Sequence, residues 1–143
     1  MTKTTCGVLV TDGERLVLGH ATRSPRWDIP KGIAEDNEDF AHAAARELIE
    51  ETGLEVAPAA LTPLGVFRYR SGKDLALFVW RPAGLPDPSM LRCHSTFSVG
   101  NKQLPEFDKF GVFRWEDAIA RVGRDMARIL NDARRMELCS SRT

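Results

Sequence analysis

The chain has 143 residues, 43% hydrophobic and 8% aromatic, which suffices for one domain with its own core and is too little for two. Twenty Lys and Arg balance twenty Asp and Glu, and this formal net charge of zero argues against a protein that wraps a nucleic-acid polymer through excess positive charge. Cys6, Cys93 and Cys139 lack CxxC or CxxH spacing, against a disulfide framework or structural zinc; no stretch resembles a membrane span or a signal peptide. We therefore expect one cytoplasmic domain over residues 1–143, monomeric or homodimeric, with no membrane and no nucleic-acid polymer among its partners.

In chain order, Cys6–Val10 and Leu16–Leu18 read as strands flanking Asp12-Gly13, a turn whose positive φ favours a hairpin. Asp36 to Thr52 reads as a helix, because Ala41, Ala44, Ala45, Leu48 and Thr52 recur with helical spacing, acidic residues crowd its start and Gly53 supplies a left-handed stop. Leu64–Tyr69 and Leu75–Trp80 are predicted strands around Ser71-Gly72-Lys73. A proline-rich loop, Arg81–Pro88, follows them. Phe110–Trp115 is a later strand, and Glu116 to Glu137 a helical region that Gly123 divides, with Ile119, Val122, Met126, Ile129, Leu130 and Ala133 on one face. Strands interrupted by one central and one terminal helix predict an α/β fold, a mixed β-sheet covered by helices.

The chemistry concentrates on the central helix. Glu47, Glu50 and Glu51 stand at i, i+3 and i+4, so three carboxylates leave one face toward a common point. Such crowding is mildly unfavourable unless a cation joins it, and oxygen-only donors select magnesium, manganese or calcium over zinc. Arg46 beside them is able to grip a carboxylate or a phosphate. The alternative is an acidic solvated face.

The wider string decides between these. From Gly32 there follow five residues, Glu38, seven residues, Arg46-Glu47-Leu48, one residue, Glu50-Glu51, one residue and Gly53-Leu54. This resembles the Nudix box at every specified position. The resemblance implies an α/β/α sandwich and hydrolysis, with Mg2+ or Mn2+, of a nucleoside diphosphate linked to another group. By the same resemblance Glu50 and Glu51 are principal metal ligands, Glu47 is a ligand or the base, Arg46 orients Glu47, and the Lys31 carbonyl is a further metal ligand. Glu38 and Gly32 are then structural, Glu38 bonding the backbone of the loop. Asn37 stands where many members have glycine, which leaves the shape of that loop open.

Around the box, Trp27 either stacks on a base or packs in the core. Pro30-Lys31-Gly32 resembles the dinucleoside polyphosphate hydrolases, and Tyr69 lies near the position of their base-stacking tyrosine, with Arg68 a further candidate for phosphate. Glu106, in Leu104-Pro105-Glu106-Phe107, resembles the extra carboxylate or general base of several subfamilies; the alternative is an exposed loop glutamate. His20, His42 and His94 form no nucleophile couple. The expected catalytic set is therefore Arg46, Glu47, Glu50 and Glu106, and the substrate is a small nucleotide polyphosphate, a dinucleoside polyphosphate before a nucleoside triphosphate removed in house-cleaning. Capped RNA ends come after both. Competing readings are a nucleotide sensor without turnover, which has no need of clustered carboxylates, and a prenyl diphosphate isomerase, which Cys93 alone does not support.

Overall fold

The computed structural model describes residues 3–140, with side chains through Glu137; Cys139 lies outside the described side chains. The chain runs β1 (Lys3–Val10), β2 (Arg15–Ala21), β3 (Trp27–Asp28), β4 (Lys31–Ile33), α1 (Phe40–Thr52), β5 (Thr62–Arg70), β6 (Lys73–Trp80), β7 (Thr96–Val99), β8 (Lys102–Pro105), β9 (Phe107–Arg114), α2 (Trp115–Arg121) and α3 (Arg124–Ser140). A four-stranded sheet has the order β4-β1-β6-β5, a three-stranded sheet the order β3-β2-β9, and β7 pairs with β8 alone.

Strands β1, β2 and β6 are almost continuously apolar because both of their faces are covered. Val8, Val10, Val17, Ala76 and Phe78 pack toward Ala44 and Leu48 of α1. Their neighbours Leu9, Leu16, Leu18, Leu75 and Leu77 pack the other way, onto Trp115, Met126, Ile129 and Leu130 of α2 and α3. The result is the expected α/β/α sandwich. Only β1 and β6 run parallel; the three-stranded sheet is wholly antiparallel. No helix among the described residues is long and apolar enough to cross a membrane.

Three local expectations are corrected. Asp12-Gly13 does turn the chain, with Gly13 at φ 97° and Asp12 accepting from the Glu14 and Arg15 N–H groups, but β1 and β2 share only the bridge Thr11 to Leu16 and then enter different sheets. Both edges of β1 are already taken, by β4 and β6, so no edge is left for a hairpin partner. The central helix begins at Phe40 and not Asp36, because Asn37 adopts a left-handed φ of 63° that a right-handed helix excludes. Asp36 and Glu38 therefore precede the first turn. The late strand spans Phe107–Arg114, and Trp115 opens α2, its indole N–H donating to the Gly13 carbonyl. The break between α2 and α3 does fall at Gly123.

The close approach of Gly19 to Phe107 offers a test of the packing between β2 and β9. A Cβ on Gly19 would lie 2.4 Å from the Phe107 ring. Gly19→Ala is expected to destabilise the protein by about 1–3 kcal/mol, the usual cost of overpacking, seen as a lower denaturant midpoint at unchanged m-value. A midpoint equal to that of the parent protein contradicts this packing.

Candidate active site

Glycine at position 32 lets the carboxylate helix sit against β4. Pairing of Cys6 with Gly32 and of Gly7 with Lys31 fixes that strand on β1, and a Cβ on Gly32 would fall 2.0 Å from Glu47 Cδ. The Glu47 carboxylate thus occupies the space that a side chain would fill. Further along, the backbone of α1 ends at Gly53, whose left-handed φ of 81° lets its N–H reach the Ile49 carbonyl at 2.8 Å.

Arg46 organises the outer part of the site. Its Nε and Nη2 donate to the two oxygens of Glu38 at 2.9 and 2.8 Å, and Nη1 donates to Glu47 Oε1 at 2.8 Å and reaches Glu50 Oε1 at 3.5 Å. Glu38 also accepts from the Glu35 N–H at 2.9 Å, so it closes the loop as the resemblance implied. These bonds, the Arg46 one foremost, hold its carboxyl down at about 2. Asn37 supplies the left-handed turn for which many relatives use glycine. Asparagine tolerates that region unusually well.

Burial grades the three helix carboxylates. Glu50 is 43% exposed at its side chain and Glu47 13%. Glu51 is buried, its Oε1 accepting the Lys31 N–H at 2.9 Å. Burial pushes the Glu51 carboxyl up to about 8; the Lys31 N–H and ammonium oppose this, while the charges of Glu47 and Glu106 add to it. Glu47 is raised in the same sense, first by burial and then by the charge of Glu50. No three His, Cys, Asp or Glu side chains among the described residues are gathered as a metal shell. The donors nevertheless suit a hard divalent cation. They are all oxygen, and two of them are raised in pKa, first by burial and then by the neighbouring carboxylate charges.

Glu106 comes to this helix through a relay of backbone bonds. Arg92 N–H binds the Thr52 carbonyl at 3.0 Å, and the N–H groups of His94 and Ser95 bind the Glu50 carbonyl at 2.6 and 3.0 Å. Ser95 carbonyl then takes the Glu106 N–H at 3.0 Å, and Glu106 carbonyl takes the Thr22 N–H at 3.1 Å. The half-buried Glu106 is close enough for its charge to act on Glu51.

The other expected substrate residues are placed differently. Tyr69 is 5% exposed and belongs to the core between the sheets and α3. Trp27 is half-buried, packed edge-on against His20 and Phe113 at the margin of the core. Lys31 does not present a free ammonium, because Nζ is paired with Asp28 Oδ2. Arg68 is exposed on β5, at the opposite edge of its sheet from β4. Cys93 holds the local fold, its Sγ accepting the Phe107 N–H at 3.4 Å. Sequence reasoning missed two residues. Asp28 was legible only as an acid three positions before a lysine, and the Thr22 hydroxyl, buried with no hydrogen-bond partner among the described residues, left no signal.

Comparison with known proteins agrees with this geometry. The NUDIX domain model matches residues 1–132. An uncharacterised 17.7 kDa protein of enterobacteria phage T4 is 36% identical over 139 residues, covering 87% of this chain and 90% of that protein. An RNA pyrophosphohydrolase from Dinoroseobacter shibae is 47% identical over 53 residues, only 35% of this chain and 33% of the relative. Among solved structures, an Ap4A hydrolase from C. elegans superposes with a TM-score of 0.64 at 22% identity, over 90% of this chain and 93% of that one, a likeness of fold. With the family model matched over nearly the whole length, the chain belongs to the NUDIX family and is a hydrolase of pyrophosphate bonds.

Proposed function

We propose that the protein hydrolyses a pyrophosphate bond within a small nucleoside polyphosphate, using Glu47, Glu50 and Glu51 to hold magnesium or manganese and Glu106 as general base. What supports this reading is the row of carboxylates on one face of α1, with Glu47 in the Gly32 cradle and Glu106 close enough for its charge to act on Glu51. The Lys31 carbonyl joins the donor set by the family resemblance. A bound divalent cation supplies positive charge that admits a polyanion and polarises its phosphoryl oxygens. Arg46 orients Glu47 and leaves that carboxylate occupied at Oε1. No hydrogen bond among the described residues engages the Glu106 carboxylate, which leaves it free to orient water and accept its proton.

Support for a mononucleoside over a dinucleoside polyphosphate comes from Tyr69 and Lys31. Both side chains expected to serve the longer substrate are withdrawn, one into the core and the other onto Asp28.

The deciding experiment is a magnesium-containing panel of nucleoside triphosphates and dinucleoside polyphosphates with separated products. Triphosphates are expected to rank first, and chelator-treated protein to be inactive. Glu50→Gln and Glu51→Gln each remove a charged oxygen donor at constant shape, and a steep fall in rate with the fold retained is expected for both. Full turnover in the Glu50→Gln/Glu51→Gln double variant would refute the assignment.

Two further outcomes separate the carboxylates. Without metal, folded Glu51 holds its proton up to about 8 against an ordinary value of 4.5, so the folded state binds more protons than the unfolded one between those values. Stability of chelated protein is therefore expected to fall as pH rises through that window, to be restored by magnesium near pH 8, and to lose this slope in Glu51→Gln. For the base, Glu106→Gln is expected to lower kcat by about 100-fold or more and to flatten the acidic limb of the pH–rate profile, at near-constant thermal stability. An unchanged kcat would return the role to Glu47.

A further inference from the structure

Two cations adjoin the carboxylates of α1, and both are already engaged by acidic side chains. Arg46 is taken up by Glu38 and Glu47. Lys31 starts from the floor of the site, since its main-chain N–H binds Glu51, yet its ammonium turns to Asp28. The two partners are only 21% and 23% exposed at their side chains, so water screens the pair incompletely. Asp28 is itself anchored, because its Oδ1 accepts the Ile29 N–H at 2.8 Å. It lies on β3 and Lys31 on β4, strands of different sheets joined by Ile29-Pro30, so the pair spans the seam where the sheets meet. Asp28 and Tyr69 also line one cavity of about 110 Å³ with Arg26 and Arg70.

A phosphate entering beside Lys31 therefore meets an ammonium whose charge is cancelled and a carboxylate that repels it. We infer that Asp28 is a specificity-determining residue which masks Lys31, and so sets the preference of the site against longer polyphosphate chains. This rests on the proposed reading of the site as a nucleotide polyphosphate hydrolase. Asp28 acts through Lys31 and touches no reacting atom, which makes it a positioning residue whose signature is a change in KM without a matching change in kcat.

Asp28→Asn tests this at constant shape. The amide keeps an oxygen for the Ile29 N–H and replaces the paired carboxylate with a neutral group, so Lys31 is released while the turn is retained. Parent protein, Asp28→Asn and Asp28→Asn/Lys31→Met are compared, with magnesium, on a nucleoside triphosphate and a dinucleoside tetraphosphate. Calorimetric binding of inorganic tripolyphosphate in chelator is measured alongside. In Asp28→Asn, KM for the tetraphosphate is expected to fall about fivefold, the worth of one freed ion pair, and KM for the triphosphate by less. Within about twofold, kcat should stay constant, and tripolyphosphate should bind tighter. Adding Lys31→Met should abolish each gain. An unchanged or raised KM in Asp28→Asn overturns the inference, as does a gain that survives Lys31→Met. If the parent protein turns over neither nucleotide, the reading of the reaction fails, and the tripolyphosphate titration alone decides Asp28: tightening that Lys31→Met reverses supports its role, and any other result overturns it.

Discussion

Arg46 is one positive charge shared among Glu38, Glu47 and Glu50, and the rest of the site takes its shape from that sharing. A guanidinium presents its donors in a fixed planar fork, so the two-bond grip on Glu38 sets the direction in which Nη1 is left to reach Glu47. Glu47 in turn lies where Gly32 has no side chain, which locks α1 against β4 at one separation. Lysine at position 46 would supply charge without the fork.

The balance of charge follows from the same arrangement. With Arg46 committed outward and Lys31 committed to Asp28, the buried end of the carboxylate row is left short of positive charge. Burial first, and then the charges of Glu47 and Glu106, push the Glu51 carboxyl up to about 8 against the pull of the Lys31 N–H and ammonium. A divalent cation held there, as proposed, would relieve this repulsion and release protons on binding.

Rigid scaffolding and the approach of Glu106 are linked by main-chain bonds, which do not depend on side-chain identity. The segment Arg92–Ser95 caps the carbonyls that α1 leaves open at its C-terminal end, a need that every helix has. Because Ser95 also pairs with Glu106, satisfying the helix end places the carboxylate that faces Glu51. The same loop carries Cys93, whose sulfur secures Phe107 at the start of β9.

By itself the sequence determined the carboxylate helix and its glycine stop, since both depend on spacings that helix geometry converts directly into directions, while the structural place of Gly32 and the orienting role of Arg46 came with the resemblance to the Nudix box. The sequence also determined a mixed sheet covered by helices and the break at Gly123. Tertiary structure alone decided that β1 and β2 part into different sheets, because the competition for the edges of β1 comes from β6, far along the chain. It also decided that Tyr69 turns into the core. A strand pattern shows which residues alternate, not which face an arriving helix will cover, and α3 covers the face that carries Tyr69. The pairing of Lys31 with Asp28 was local in sequence yet hidden, because it forms only where the two sheets meet across Ile29-Pro30 and bring the two side chains to one side of the seam.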